Sequence, residues 1–192
     1  VGCTAQTCTG AGCYTCADPF ISEVAEGSSN NKYLEIFNPT NETIDLSKYG
    51  LAMLSNGDSF RWANISNGTG TVSSEDVFIV CHASSHDDIK AKCDFFYNLL
   101  SNGDDALCLA RGIETNYTCI DRVGYFGLDP GRGFSVGKDG GSTYDHTLVR
   151  KPNITCGQSN WTVSAGAVSE PGEWDVFPKD DWHDIGRHTM TP

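Results

Sequence analysis

The sequence predicts an all-β domain arranged as a β-sandwich, on three observations. Short apolar stretches alternate with a period of two, turn-forming dipeptides break them at frequent intervals, and only one stretch reads as a helix. Many short strands with such breaks are best buried by two sheets closing on one core.

The first two strands are "FISEVAE" (Phe20–Glu26) and "KYLEIFN" (Lys32–Asn38), joined by "GSSNN", a string of turn residues. In the second, Leu34 and Ile36 fall on one face, with Tyr33, Glu35 and Phe37 on the other. "YGLAML", "SFRW", "VFIVC", "DALCLAR", "CIDRVGY" and "HTLVR" continue the series, separated by Asn-Gly, Gly-Asp, Asp-Pro-Gly and Gly-Gly signals. The one short helix is expected within "SSHDDIKAKC", with Ser84 or Ser85 as N-cap. Asp87 and Asp88 stand in its first turn and Lys90 and Lys92 near its end, the order that the helix dipole favours. Residues 151–192 show little regular patterning, and Trp161, Trp174, Phe177 and Trp182 are expected there as plugs packed over the sandwich. The chain therefore divides into a Cys-rich N-terminal extension, residues 1–19, closed by Asp18-Pro19, and a sandwich domain, residues 20–192.

A chain of 192 residues suits one domain with a real core. Its formal charge of −12 makes nucleic acid and anionic membranes poor partners. No apolar run approaches the roughly 20 residues of a membrane-spanning helix, so no membrane insertion is expected. The first residue is Val1, which reads as the mature end of a chain whose leader has been removed.

Nine cysteines are the disulfide candidates: Cys3, Cys8, Cys13, Cys16, Cys81, Cys93, Cys108, Cys119 and Cys156. Cys13-x-x-Cys16 is the only close pair, and no second pair follows at zinc-site spacing. Cys81 ends a core strand and Cys93 ends the helix after it, so a strand–helix return could bring them together. Cys108 and Cys119 flank a turn centred on Ile113-Glu114, which would set them opposite each other in an antiparallel pair. The other five are left over, and five cannot all pair within one chain. Six Asn-x-Ser/Thr sequons, at Asn41, Asn64, Asn67, Asn116, Asn153 and Asn160, exceed the roughly two or three expected by chance. Acceptor sites and cysteines together point to an oxidising, extracellular setting, with N-linked glycans as partners.

Catalytic constellations are sparse. GxSxG, HExxH, the phosphate-binding loop and the EF-hand loop are all missing from the sequence. His82, His86, Asp87 and Asp88 gather at the strand–helix turn but read as loop and cap rather than metal ligands. Glu23, Glu26 and Glu35 suggest a carboxylate pair, yet Glu23 and Glu26 are an odd number of residues apart and cannot share a strand face. Asp104, Asp105 and Asp129 lie in turns of the kind that sometimes takes calcium, the one cofactor considered; turn hydrogen bonding is the plainer role. "DPGRGF" (Asp129–Phe134) lacks the strand-to-helix context of a phosphate loop. The late tryptophans suit core packing better than a sugar platform.

The strings "FISEVAEGSSNNKYLEIFNPTNETIDLSKYGLAMLSNG", "SNGDDALCLARG", "IDRVGYFGLDPG", "STYDHTLVRKPNIT" and "EWDVFPKDDWHDIGRHT" resemble the lamin-tail domain family in its secreted, bacterial-type form, from about Phe20 to Thr189. The resemblance implies an immunoglobulin-like sandwich and no catalysis of its own. The chain departs from the family pattern in its extra cysteines, its Cys-rich extension and the lack of a companion catalytic domain.

The expectation for function is a non-catalytic extracellular structural module, secreted and glycosylated. It would associate with further copies of itself, as a homo-oligomer or filament, through its N-terminal extension. The alternative is an extracellular binding or attachment module for a glycan, calcium or a cell-surface partner, derived from a larger secreted protein or enzyme.

Overall fold

A computed structural model describes residues 17–66, 70–100, 102–138, 140–166 and 172–191. In chain order the strands are β1 (Phe20–Glu26), β2 (Lys32–Phe37), β3 (Ile44–Asp45), β4 (Tyr49–Ser55), β5 (Ser59–Ala63), β6 (Thr71–Val72), β7 (Val77–Cys81), β8 (Phe95–Phe96), β9 (Ala106–Ile113), β10 (Asn116–Val123), β11 (Ser135–Val136), β12 (Gly141–Ser142), β13 (His146–Arg150) and β14 (Trp174–Pro178). Two short α-helices interrupt them, α1 (Asp87–Lys90) and α2 (Trp161–Ala165).

Two sheets carry the fold. One has six strands in the order β14-β13-β1-β2-β7-β8, the other four in the order β10-β9-β4-β5. All pairs within them are antiparallel except β7 with β8. This is an all-β, immunoglobulin-like sandwich.

Period-two alternation decides what each sheet buries. In the four-stranded sheet Leu51, Met53, Leu107 and Leu109 face the core, while Ala52, Cys108 and Ala110 face away. In the six-stranded sheet Ile21, Leu34, Ile36, Val80 and Leu148 meet them from the other side. Trp161 of α2 and Trp174 of β14 join this core, their ring centroids 6.5 Å apart.

The strands expected from residues 20 to 150 are present, but several details differ. Helix α1 is a single turn capped by His86, whose Nδ1 accepts from Asp88 N, rather than by Ser84 or Ser85. Ser85 is buried one residue earlier, its hydroxyl donating to the His82 carbonyl at 2.7 Å. Cys93 lies beyond the helix, three residues after Lys90. The tail after Lys151 is more ordered in kind than its patterning suggested: it supplies a second helix and the edge strand β14, which pairs with β13 from His146↔Pro178 to Arg150↔Trp174.

The β9–β10 hairpin turns at Glu114-Thr115, one residue later than expected, because Asn116 pairs with Ile113. Cys119 therefore stands opposite Ala110, and Cys108 opposite Arg122.

Candidate functional site

Three features organise the surface and its support. The first is the outer face of the four-stranded sheet. Its middle strands offer small side chains there, Gly50, Ala52, Cys108 and Ala110, with the half-buried Leu54 further along β4, opposite Phe60. Aromatic rings from both edge strands lean inward over this floor. Trp62 of β5 lies so close over Gly50 that a Cβ there would overlap the indole ring. Tyr117 of β10 reaches from the far edge, 5.2 Å from Trp62 and 6.5 Å from Phe60 between ring centroids. Phe60, 43% exposed, completes a platform of three rings open to solvent. Trp62 Nε1 donates to Asn64 Oδ1 at 2.8 Å.

The second feature lies on the outer face of the six-stranded sheet. Glu23 and Glu35 are direct cross-strand partners on β1 and β2, and both are buried. They sit beneath the chain's C-terminal segment, residues 179–191. Ser22 Oγ donates to Glu35 Oε1 at 2.7 Å, and Gly186 N donates to Glu35 Oε2 at 2.7 Å. Tyr33 donates its hydroxyl proton to Glu23 Oε1, while Glu23 Oε2 has no partner. Burial pushes the Glu23 carboxyl up to about 8, opposed by the Tyr33 hydrogen bond and reinforced by the charges of Glu35, Asp184 and Asp181. Burial likewise raises Glu35 to about 7, against the hydrogen bonds from Ser22 and Gly186. His188, whose ring packs edge-on against Phe20 and Phe37 at 5.6 and 4.9 Å, is held down to about 4 by burial and then by Arg150. Trp182 and Ile185 seal the same face against Tyr33, Ile79, Cys81 and Ile89. Asp180 pins the start of the segment by accepting from Ser28 N at 2.8 Å and Asn31 Nδ2 at 3.1 Å.

The third is internal. Arg150 and Asp121 form a fully buried ion pair at 2.5 Å. Asp121 also accepts from Ile21 N (2.8 Å) and Gln158 N (2.9 Å), and Arg150 donates to the Ile21 carbonyl, Ser164 Oγ and Glu173 Oε2. The guanidinium lies 3.9 Å from the Trp174 ring centroid. One ion pair thus ties β1, β10, β13, α2 and the approach to β14. Two strand pairs at this junction carry bulges, β1–β2 at Ile21/Glu23 and β9–β10 at Cys119/Asp121. The bulges free backbone groups that the buried charges then satisfy.

Of the nine disulfide candidates, Cys81–Cys93 and Cys108–Cys119 are bonded, with Cα separations of 5.9 and 5.7 Å. The second joins diagonal rather than opposite residues, which a strand pair allows because diagonal neighbours share a face. Cys156 is also disulfide-bonded. Cys3, Cys8, Cys13 and Cys16 lie outside the described residues, as does the sequon asparagine Asn67. Asn41, Asn64, Asn116, Asn153 and Asn160 are all exposed, and Asn160 caps α2 by accepting from Thr162 N at 3.1 Å.

Other candidates take structural places. Glu26 accepts from Asp145 N at 2.6 Å, apart from the Glu23–Glu35 pair. Asp129 closes its own turn by accepting from Gly131 N, while Asp105 accepts from Asn102 N within its turn and from Asn56 N of the β4–β5 turn, joining the two turns. His82 Nδ1 accepts from Ser84 N. Among the described residues no group of three or more His, Cys, Asp or Glu side chains is placed to hold a metal ion. The 129–134 stretch is loop. The exposed aromatic platform lies on β5 and β10, not among the late tryptophans; its signal in the sequence was the alternation of Phe60 and Trp62.

The family model described as Lamin Tail Domain matches residues 14–127, more than half of the chain, and the chain belongs to that family. The match begins inside the Cys-rich extension and ends before β11, so β13 and β14 lie beyond it. Comparison with curated proteins and with solved structures returned no match. An immunoglobulin-like family fold closed by disulfides fits a structural or binding module rather than a catalyst.

Proposed function

We propose that this member of the lamin tail domain family is a non-catalytic structural module of the extracellular space. In this reading it is glycosylated, disulfide-bonded, and joined to further copies of itself through its N-terminal segment.

The observation that carries the reading is how the sulfurs are shared. The chain has nine cysteines. Four are paired with one another, and Cys156 is oxidised as well. The reading takes one of Cys3, Cys8, Cys13 and Cys16 as the partner of Cys156, which would fasten the N-terminal segment to its own sandwich. Three cysteines then remain in that segment, and an odd number leaves at least one without a partner in the chain, as a free thiol or as a bond to another molecule; the reading takes the bond, with a second copy as the recipient. Edge strands β5 and β14 end their sheets and offer backbone groups to an extended segment. Joining a segment of one copy to a different surface of the next is a heterologous contact, which grows into a filament when it does not close. Six sequons support passage through a glycosylating secretory route.

The test is electrophoresis of the secreted chain after its free thiols are blocked, with and without reductant, alongside electron microscopy of the same material. A ladder that collapses to monomer on reduction, and regular fibres, are expected. A single monomer band in both lanes rejects covalent assembly, and dispersed single particles reject the filament.

A further inference from the structure

On the aromatic platform of the four-stranded sheet Phe60 is exposed, and Trp62 and Tyr117 are half-buried. We infer that Asn64 carries an N-linked glycan whose first N-acetylglucosamine lies on the Phe60–Trp62–Tyr117 platform and forms its missing cover. The inference rests on the reading that the chain passes through a glycosylating secretory route, and it selects one acceptor among the six sequons.

Three observations lead there. Asn64-Ile65-Ser66 is a sequon, and Asn64 is exposed just beyond the end of β5. Phe60, Trp62 and Asn64 alternate along one extended run, so they share a face at spacings of about 7 Å, the width of one sugar ring from acceptor to aromatic. The bond from Trp62 Nε1 to Asn64 Oδ1, 2.8 Å long, fixes the side-chain amide. An indole N–H can only donate, so the amide oxygen faces the ring and Nδ2, the atom that a glycan uses, is the other branch. Asn64 is the only one of the six acceptors with an aromatic residue two positions before it; the others have Pro39, Ile65, Glu114, Lys151 and Gln158 there.

The covalent step is that of the secretory route, acting on the chain with a lipid-pyrophosphate-linked oligosaccharide as donor. Asn64 Nδ2 loses one proton and bonds to the anomeric carbon of N-acetylglucosamine. The carbon–oxygen bond to the pyrophosphate breaks, and the lipid pyrophosphate leaves with the electron pair. The sugar then presents its flat C–H face to Trp62 and Tyr117, while its hydroxyls remain in water. An amphipathic cover suits the platform, because Phe60 presents an exposed apolar ring beside the half-buried Trp62 and Tyr117.

The experiment uses the full chain secreted from a eukaryotic host. Peptide mass spectrometry measures occupancy at each sequon. NMR of glycan-labelled protein reads the ring-current shift of the first sugar, and thermal melting compares Asn64→Gln with Asn153→Gln, whose sequon has no aromatic neighbour. Asn64 is expected to be occupied in most chains, its first sugar's protons shifted upfield, with the shift lost in Trp62→Leu. Asn64→Gln is expected to lower Tm by about 2–4 °C and Asn153→Gln to leave it unchanged. Phe60→Ser, at the exposed rim of the platform, provides a second variant that keeps the indole in place and is expected to reduce the shift. An unoccupied Asn64 beside other occupied sequons overturns the inference and leaves the glycoprotein reading standing. An occupied Asn64 whose sugar protons keep their free values overturns the packing. Perturbation of the Trp62 and Tyr117 resonances by added free chitobiose, with Asn64 bare, reassigns the platform to a ligand from outside. Glycan at none of the six sites sinks the secretory reading and this inference together.

Discussion

Replacing Glu23 by glutamine removes a buried proton-binding site without changing its shape, and the structure sets the size of the effect. The Glu23 carboxyl is raised from 4.5 to about 8 and that of Glu35 from 4.5 to about 7, both chiefly by burial. The folded state therefore holds protons that the unfolded chain has released, so stability is full below pH 4.5 and is lost as pH rises toward the folded values. His188 runs the other way: its folded value of about 4 against 6.5 weakens the fold as pH falls below 6.5. The two effects overlap below pH 6.5 and separate above it. Between pH 6.5 and 8 only the carboxyls act, and Glu23 alone spans about one and a half pH units there. At about 1.4 kcal/mol per unit that is about 2 kcal/mol of stability lost by the wild-type chain, with less than about 1 kcal/mol more from Glu35. The amide of Glu23→Gln keeps an oxygen for the Tyr33 hydroxyl but binds no proton, so the variant should keep only the smaller Glu35 slope, losing less than about 1 kcal/mol across this window. Urea unfolding at half-unit intervals from about pH 6 to 9, disulfides intact, measures both slopes. Equal slopes in wild type and Glu23→Gln, or a wild-type stability that rises with pH, would refute the burial argument.

The remaining predictions concern the supports of the sandwich. Arg150→Met leaves the Asp121 carboxylate buried without its cation and should cost about 3–5 kcal/mol, read from urea midpoints; Arg150→Met with Asp121→Asn should recover part of it, and a single-variant cost under about 1 kcal/mol would contradict the network. Cys81→Ser with Cys93→Ser opens a loop of sequence separation 12 and should cost about 3 kcal/mol by chain entropy. Cys108→Ser with Cys119→Ser should cost less, since a two-residue turn already closes that hairpin; thermal melting that ranks the two pairs in the reverse order would count against this.

What the sequence disclosed and what it hid follow from distance along the chain. Strands β1, β2, β4, β7, β9 and β13 were legible because alternation is local: Leu34 and Ile36 face the core while Tyr33 and Glu35 face away. The two described disulfides were legible for the same reason, each joining residues 11 or 12 apart. The hairpin register differs from the expected one by two at Cys119, which faces Ala110, and by three at Cys108, which faces Arg122; the pair survives because the extra residue belongs to the bulge at Cys119/Asp121, so both cysteines keep the same face. The Asp121–Arg150 pair was hidden, because a charged residue in a strand reads as outward-facing and its partners at Ile21 and Glu173 are remote in sequence. The opposition of Glu23 and Glu35 needed the β1–β2 register, which the bulge at Ile21/Glu23 adjusts. In the tail, "WDVFP" was not legible as β14, because five residues beside an equally short helix give a weak pattern that only packing against β13 makes definite.

In the proposed assembly, the outer faces of the two sheets decide how copies would meet. Among the described residues the six-stranded sheet is sealed by α1 and the C-terminal segment, and with the Asn64 glycan lying on the four-stranded face the sheet edges are the approaches left. Every approach is made by two molecules of formal charge −12, so long-range force opposes self-association. At physiological ionic strength the Debye length is about 8 Å, and at 0.01 M it is about 30 Å. Strand-edge hydrogen bonds and disulfides act only at contact and are insensitive to this range. Assembly held by such contacts must therefore be gated by repulsion on the way in: raising salt from about 0.01 M to 0.15 M should speed the growth of oligomers severalfold without weakening those already formed. Light scattering of monomer released by reduction and returned to oxidising conditions follows the growth. A rate that falls as salt rises would mean that opposite charges draw the copies together, and contacts held by strand edges and sulfur alone would no longer explain the assembly.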